Sequence, residues 1–228
     1  MTAARLPDDP HGRSAAIDVL RRGGLVGLPT DTVYGIAVAL STPDGVDRLF
    51  AAKARPPEKA ISVLVDGLDQ LATLVRIPRA AVILGRVGWP GGLTLVLPLR
   101  PEVVGALLPA SLTAGTATLG VRVPAHACPR ALARELGPLP TTSANRSGEP
   151  DALEADAVAR ELGARLDLIL DGGRTRGSVA STVVDCATAD GRPRLLRSGA
   201  LAPARLAAAL DAAGIAHDLA TDDAASGT

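Results

Sequence analysis

The chain has 228 residues, 47% of them hydrophobic and only 1% aromatic, so it can bury a large core of aliphatic side chains. Its 24 basic and 24 acidic side chains cancel, which argues against a broad electrostatic surface for duplex nucleic acid. No apolar run reaches membrane-spanning length and no signal-like segment opens the chain. Cys128 and Cys186 lack metal-type spacing, so we expect free thiols in a cytoplasmic protein that makes no membrane contact.

Helices and strands alternate along the sequence. Helical spacing of apolar residues predicts helices at about 14–22, 42–53, 67–75, 78–86, 128–136, 153–163 and 203–214. Short apolar runs predict strands at 25–28, 61–65, 93–97, 119–123, 166–170, 181–185 and near Leu195. This alternation predicts an α/β fold, a single domain with an open, twisted, mixed sheet flanked by helices. We expect the domain to span residues 1–217, with a flexible tail over 218–228.

Lysine is rare in this chain, and both lysines lie in one short stretch. The basic side chains include only Lys53 and Lys59, whereas the other 22 are arginines. A lysine kept in such a background indicates a site that needs a compact ammonium group rather than a planar guanidinium. Tyr34 and Trp89 also lie beside polar or glycine-rich residues, although packing near a loop explains either of them equally well.

Hydroxyl, amide and cationic side chains cluster at predicted strand ends and loops. The sequence has no P-loop, no dinucleotide fingerprint, no zinc-protease motif and no nucleophile elbow, and its three histidines are scattered. The polar set suits the binding of phosphates and a carboxylate, as phosphoryl or nucleotidyl transfer requires. Taken singly, each hydroxyl can also be an ordinary turn or cap residue. The set is Thr30, Thr32, Lys53, Arg55, Arg122, Thr141, Thr142, Ser143, Asn145, Ser147, Ser181, Thr182 and Arg197.

Six motifs occur in the order found in one protein family. They are PTDTVYG at 29–35, KxRP at 53–56, GVRVP at 120–124, TSANxSG at 142–148, STVVD at 181–185 and RSGA at 197–200. Over residues 12–200 the chain therefore resembles the YrdC-like family of threonylcarbamoyl-AMP synthases. The resemblance implies an open α/β sheet with a concave, locally positive site. It also implies that L-threonine, bicarbonate and ATP give threonylcarbamoyl-AMP and pyrophosphate, for the N6-threonylcarbamoyladenosine (t6A) modification of tRNA.

The resemblance further implies roles for individual side chains. The residues of its K-x-R and S-x-N motifs would hold the nucleotide phosphates and carry catalysis: Lys53, Arg55, Ser143 and Asn145. The threonine site would comprise Thr32, Arg122, Thr141 and Ser181, with Arg122 on the threonine carboxylate. Further nucleotide-binding positions would be Lys59, Thr118, Ser147 and Arg197. Mg²⁺ would arrive with ATP, held by phosphates and water, because no carboxylate cluster marks a metal site of the protein itself.

Some positions depart from the family pattern, and two other interpretations stay open. Lys59 and Leu64 stand where longer, two-domain members carry Asn and His, which leaves open the threonine and nucleotide contacts at these positions, and Gly91-Gly92 stands where Gly-Pro is frequent. Because the sequence shows no counterpart of the extra C-terminal domain of those members, we expect a member of the single-domain branch. A paralogue could instead bind RNA or nucleotide without forming the adenylate, because a fold does not establish an activity. The carbamoyl-transfer module of hydrogenase-maturation proteins shares this domain, but normally within a much longer chain that carries zinc-finger cysteines.

Overall fold

Ten strands form one mixed sheet in the part of the chain that the computed structural model describes, residues 2–56, 58–104 and 108–219. The strands are β1 (Ala4–Pro7), β2 (Val26–Leu28), β3 (Gly35–Ala37), β4 (Ser62–Leu64), β5 (Leu93–Pro98), β6 (Thr118–Arg122), β7 (Leu139–Ser143), β8 (Leu168–Asp171), β9 (Thr182–Asp185) and β10 (Arg194–Arg197). The helices are α1 (Pro10–Arg21), α2 (Gly45–Lys53), α3 (Arg79–Gly88), α4 (Ala110–Thr113), α5 (Ala127–Leu136), α6 (Ala155–Leu162) and α7 (Pro203–Ala212), with 3₁₀ turns at Leu68–Leu71 and Gly163–Arg165.

The strand order is β1-β8-β2-β3-β7-β4-β6-β5-β9-β10. Strand β8 runs parallel to β1 and β2, β4 parallel to β6, and β5 parallel to β9, whereas the other neighbours are antiparallel. In the middle of the sheet Gly35 pairs with Ser143, and Ser62 pairs with Thr141. This order brings the segment 29–35, the segment 141–148 and the start of β4 together, although they are distant in the sequence.

Aliphatic side chains supply most of the core, as the composition predicts. One buried cluster contains Leu20 of α1 and Leu132 of α5. A larger cluster contains Leu49 of α2, Leu84 of α3 and Leu206 of α7. Burial of apolar area is the main favourable term in folding, so these clusters hold the helices on the sheet and fix the strands whose ends carry the polar motifs.

The C-terminus of α2 directs two cations to different places. Ala54 follows the helix with φ of 50°, the left-handed conformation in which many helices end, and Arg55 N donates to Phe50 O at 3.0 Å. The chain therefore turns sharply between Lys53 and Arg55. Lys53 is directed into the protein and is only 1% exposed, whereas Arg55 remains partly accessible.

The fold class predicted from the sequence is confirmed, and the differences are local. The patterns do not predict β1, β3, α4 or β7, and the helix expected at 67–75 is a 3₁₀ turn over Leu68–Leu71. Strand β7 has the sequence Leu-Pro-Thr-Thr-Ser, which reads as a loop because polar residues replace the apolar run of an ordinary buried strand. None of the helices in the described residues has the length and apolar character required to cross a bilayer.

The predicted tail over 218–228 begins with two residues that are packed in place. Asp218 N donates to Pro193 O at 2.8 Å, Leu195 N donates to Asp218 O at 3.0 Å, and Leu219 is 2% exposed. The remaining residues, 220–228, lie outside the described part of the chain. The division into a domain and a flexible tail therefore stays a prediction.

Candidate active site

A cleft of about 370 Å³ lies over the central strands, within the size range of small-molecule sites. Eight of the twelve side chains that the sequence predicts at a site line this cleft: Thr32, Arg55, Thr118, Arg122, Thr141, Ser143, Ser181 and Arg197. Apolar side chains such as Leu64, Val96 and Val183 also line it. The other four predicted residues, Lys53, Lys59, Asn145 and Ser147, are not part of the lining.

Three arginines line the cleft and bring positive charge to it. The pKa values of Arg55, Arg122 and Arg197 all lie below the ordinary value, chiefly because desolvation disfavours the charged form. The charge of Arg197 lowers the pKa of the other two further, whereas Asp151 raises that of Arg197. Arginine stays protonated in proteins, so all three side chains remain charged and Arg197 repels the other two. A bound anion would relieve this repulsion, which makes the cleft suitable for phosphates or carboxylates.

Arg122 is held by three partners in the cleft wall and is 6% exposed. Its Nε donates to Gly91 O at 3.0 Å, its Nη1 to Thr32 Oγ1 at 2.8 Å, and its Nη2 to Asp31 Oδ1 at 2.6 Å. A guanidinium has five N–H groups, so two remain for a ligand. The geometry orients a cation that can still bind a carboxylate through its terminal nitrogens.

A second group of contacts joins β5, β9 and β10. Ser181 Oγ lies 2.8 Å from Thr94 Oγ1, and both side chains are buried. Arg197 donates to the Ser181 carbonyl from Nε at 3.1 Å and from Nη2 at 2.7 Å. On the neighbouring wall, Thr141 Oγ1 donates to Leu139 O at 2.8 Å. Thr141 therefore keeps lone pairs for a donor on the ligand, and one hydroxyl of the Ser181–Thr94 pair keeps a free O–H, because either of the two can donate in their shared hydrogen bond.

Lys53, Ser143 and Asn145 form a compact network behind the cleft wall. Lys53 Nζ donates to the Ser143 carbonyl, to Ser143 Oγ at 3.2 Å and to Asn145 Oδ1 at 3.1 Å. Ser143 Oγ also donates to Asn145 Oδ1 at 2.5 Å. Desolvation, assisted by the charge of Arg55, lowers the pKa of Lys53 to about 8. Only Ser143 of these three side chains reaches the cleft surface.

The structure does not bring two other predicted nucleotide-binding side chains to the cleft. Lys59 is exposed, and its carbonyl accepts a hydrogen bond from Arg55 Nε at 2.9 Å. Ser147 contacts Lys53 through its backbone N–H, 3.3 Å from the Lys53 carbonyl. Thr118 does line the cleft, with its hydroxyl 2.8 Å from that of Thr116. The roles expected for Lys59 and Ser147 stay predictions.

Tyr34 and Trp89 are held as packing residues with polar tips. Tyr34 is fully buried; its hydroxyl donates to Gly173 O at 2.8 Å and accepts from Gly172 N at 3.1 Å. Burial raises the pKa of Tyr34 to about 12. Trp89 Nε1 donates to Leu93 O at 2.6 Å. Packing therefore accounts for the contacts of both side chains, and Tyr34, which also lines the cleft, ties the Gly172-Gly173 turn to the core.

Three residues of the site have no role in the sequence prediction. Asp31 lies inside the PTDTVYG motif, which is a usable signal, because an acid in a polar loop beside a buried arginine is a natural ion-pair partner. Thr94 is the single hydroxyl in the apolar run of β5, which also marks it. Asp151 lines the cleft without belonging to any of the six motifs. Only the tertiary structure identifies it.

The described residues contain no group of three or more His, Cys, Asp or Glu side chains placed to hold a metal ion. Asp31 forms an ion pair with Arg122, and the charge of Asp151, which lines the cleft, raises the pKa of Arg197. The arrangement therefore has the character of an anion site with hydroxyl donors and acceptors, in which a divalent cation would have to enter with its own ligands.

These features define an α/β protein with an arginine- and hydroxyl-lined anion cleft, and comparison with known proteins identifies the family. The profile of the Sua5_yciO_yrdC family, described as telomere recombination, matches residues 18–199. The chain belongs to this family. The resemblance inferred from the six motifs is therefore confirmed.

Individual relatives agree with this assignment. The chain is 39% identical over 205 residues to a threonylcarbamoyl-AMP synthase of Bacillus subtilis, covering 89% of this chain and 57% of the relative. A threonylcarbamoyl-AMP synthase of Pyrococcus abyssi is 40% identical over 189 residues, with coverages of 82% and 53%. The crystal structure of P. abyssi Sua5 complexed with L-threonine superposes with a TM-score of 0.83 at 33% identity, covering 95% of this chain and 62% of that one. The chain thus spans little more than half the length of these relatives.

Proposed function

We propose that this chain forms threonylcarbamoyl-AMP and pyrophosphate from L-threonine, bicarbonate and ATP. The observation that carries the proposal is that three arginines line one cleft, and we assign Arg122 to one anion subsite and the pair of Arg55 and Arg197 to another. The names of the relatives from B. subtilis and P. abyssi support it.

Arg122 is the proposed ligand of the threonine carboxylate. Its two free N–H groups and the fixed hydrogen bonds to Asp31 and Thr32 pre-orient it. The hydroxyls of Thr32, Thr141 and Ser181 surround the same part of the cleft and would meet the ammonium and hydroxyl groups of threonine. Leu64 offers an apolar contact for the methyl group. The P. abyssi structure, which contains L-threonine, supports an amino-acid subsite in this fold.

The nucleotide phosphates are proposed to lie against Arg55, Arg197, Ser143 and Thr118, which all line the cleft. Arg55 and Arg197 repel each other in the free protein, so a triphosphate between them gains attraction to both and removes their repulsion. Asn145 and Lys53 complete the phosphate end from behind Ser143. Lys59 and Ser147 would contact the nucleotide only if side chains at the cleft rim rearrange around it.

The chemistry that follows needs position and charge rather than a nucleophile of the protein. The threonine ammonium group first loses a proton to solvent. The free amine then adds to carbon dioxide with release of a second proton to solvent, or to bicarbonate with loss of water, and gives a carbamate. An oxygen of the carbamate attacks the α-phosphorus of ATP, and the bond from that phosphorus to the pyrophosphate oxygen breaks. Negative charge develops on the leaving group and the equatorial oxygens, where preorganised arginines and hydroxyls stabilise it. The adenylation step requires no general base of the protein, because the attacking oxygen of the carbamate is already deprotonated.

Mg²⁺ is proposed as the counter-ion of ATP. The described residues lack a carboxylate cluster for it, and this fits a cation that is held by phosphates and water. Asp151, facing the cleft, is the carboxylate best placed to hold one of those waters. Proteins that transfer the threonylcarbamoyl group to tRNA are the expected downstream partners. Direct but weak RNA binding and a cytoplasmic location remain expectations from the sequence.

Pyrophosphate release tests the proposal. Purified protein is incubated with ATP, Mg²⁺, bicarbonate and threonine, and each component is omitted in turn. The proposal predicts release that requires both threonine and bicarbonate. Release that occurs equally without threonine would indicate an ATP hydrolase, and tight ATP binding without any release would favour the paralogue that binds nucleotide without forming an adenylate.

A further inference from the structure

Lys53 is buried although it carries the only ammonium group at this end of the cleft among the described residues. It is 1% exposed, whereas Arg55, two residues later, reaches the cleft surface. Burying an ammonium group is costly unless its donors are all used. The three N–H groups of Lys53 have three acceptors, the Ser143 carbonyl, Ser143 Oγ and Asn145 Oδ1. No donor is left for a phosphate in this arrangement.

The same lysine also holds the loop of residues 143–149 through its backbone. The Lys53 carbonyl accepts a hydrogen bond from Ser147 N at 3.3 Å. Lys53, the last residue of α2, therefore contacts the loop at Ser143 and Asn145 through its side chain and at Ser147 through its backbone. Asn145 closes the loop by donating from Nδ2 to the Glu149 carbonyl. Side chain and backbone of one residue therefore determine where Ser143 presents its polar atoms to the cleft.

We infer that Lys53 is a positioning residue, which fixes the loop of residues 143–149 and thereby the phosphate-facing Ser143, rather than a direct ligand of the nucleotide. The inference rests on the proposed function for its link to catalysis, but the loop contacts exist in the free protein. An ammonium group suits this place because its three donors converge on the acceptors of one turn, whereas a planar guanidinium spreads its donors in a fork.

Charged groups around Lys53 are consistent with this role. Arg55 disfavours the charged ammonium, and Asp151 and Glu161 favour it. None of these three side chains is among the hydrogen-bond partners of the ammonium group. Its neutral hydrogen-bond partners, all in the loop, are therefore the groups that respond most directly when the ammonium is removed.

Hydrogen exchange of the ligand-free protein tests the inference without relying on any reaction. Lys53→Met keeps the stem of the side chain and removes the ammonium, and Lys59→Met is the matched control because Lys59 is exposed and only six residues away. We expect amide exchange in peptides covering 141–149 to rise on the order of tenfold in Lys53→Met, because buried acceptors lose their donor. The control variant should exchange like the wild type.

Unchanged loop exchange in Lys53→Met would overturn the inference, and so would a rise spread evenly over the whole sheet, because that result would assign Lys53 to the general stability of the fold. Should Lys53→Met fail to fold, Lys53→Gln takes its place. The amide of glutamine falls short of the loop acceptors, and unchanged exchange there overturns the inference equally.

Turnover measurements test whether Lys53 affects the reaction through the loop of residues 143–149. Lys53→Met and Ser143→Ala are measured singly and together by pyrophosphate release. If Lys53 acts through the loop, the double variant should lose little more than Lys53→Met alone, because both changes remove the same positioned group. Fully multiplicative losses would mean that Lys53 acts independently and would contradict the inference. A wild-type protein without turnover would instead refute the proposed function, and the exchange experiment would still decide the role of Lys53 in the loop.

Discussion

Arg122 Nη2 and Asp31 Oδ1 are 2.6 Å apart in the cleft wall, and both side chains are largely buried. The proposed threonine site therefore contains a carboxylate of the protein before any substrate arrives. Asp31 compensates the charge of Arg122 in the free protein and fixes its orientation, while two N–H groups of the guanidinium remain unused. A substrate carboxylate would add to this pair rather than replace it.

Asp31→Asn tests this relationship. The amide keeps a hydrogen-bond acceptor for Arg122 but removes the compensating charge, so the free energy of unfolding should fall by about 1–3 kcal/mol. Threonine should bind more tightly, because its carboxylate then supplies the missing charge and no longer meets a neighbouring anion. Denaturant unfolding and calorimetric titration measure the two effects. Glu102→Gln is the control, because the ion pair of Glu102 with Arg100 is exposed and its atoms are 3.9 Å apart. Wild-type stability of the Asp31→Asn protein, or weaker threonine binding by it, would contradict the account.

Arg122→Lys should separate the two subsites. Lysine keeps a positive charge beside Asp31 but loses the fork that meets a carboxylate at two points. Threonine affinity should fall at least roughly tenfold, whereas ATP affinity should change little, because Arg55 and Arg197 are intact. Separate calorimetric titrations with each substrate, with the exposed Arg86→Lys as control, give the comparison. Equal losses for both substrates would place Arg122 outside a dedicated threonine site.

Lys53 should titrate near pH 8. Because the chain has only two lysines, ¹³Cε-labelled lysine gives two resolved signals, and Lys59→Arg identifies the one from Lys53. The pKa of Lys53 is lowered to about 8 from 10.5, so the unfolded chain binds a proton that the folded protein lacks between these values. The free energy of unfolding should therefore rise through that interval, by up to about 3 kcal/mol. A Lys53 signal that does not titrate below pH 10 would show that its ammonium is not desolvated.

Substrate choice should follow the hydroxyls of the cleft. Serine lacks one methyl group, which is worth ~1–3 kcal/mol in an apolar contact such as Leu64, so its kcat/KM should be roughly 10–200-fold below that of threonine. Valine lacks the hydroxyl and would leave buried polar groups of Thr32, Thr141 or Ser181 without a partner, so it should be rejected much more strongly, by about 10⁴-fold. Pyrophosphate release with each amino acid measures the order. A valine rate equal to that of serine would contradict a site that reads the hydroxyl.

Much of the fold follows from the sequence, because aliphatic runs and helical spacing report burial directly. The exceptions are instructive. Strand β7 and strand β3 are formed by pairing with neighbours, Ser143 beside Gly35, and not by their own apolar pattern. Glycine at position 35 is required by packing, since a Cβ there would lie 2.9 Å from Thr141 Cγ2. Local sequence does not contain the partner strand, so such segments read as loops.

The residue types of the candidate site could be predicted from the sequence. Which of these residues line the cleft and which lie behind its wall could not. Motif positions identify Arg122, Ser143 and Arg197, all of which line the cleft. They do not show that Lys53 turns inward at the end of α2 while Arg55 turns outward, because a left-handed residue between them sets that difference. Asp151 reaches the cleft only through the tertiary fold. Sequence patterns therefore indicate the residue types of the candidate site, and the backbone determines which of them face the cleft.

Direct detection of the product tests the central claim most sharply. Purified protein is incubated with ATP, Mg²⁺, threonine and ¹³C-bicarbonate, and the mixture is analysed by mass spectrometry. Threonylcarbamoyl-AMP that carries the ¹³C label should form only when all three substrates are present, and at limiting threonine its signal should fall in Arg122→Lys and be retained in the exposed control Arg86→Lys. Binding of ATP and threonine without any labelled adenylate would contradict the account and leave the cleft as a binding site alone.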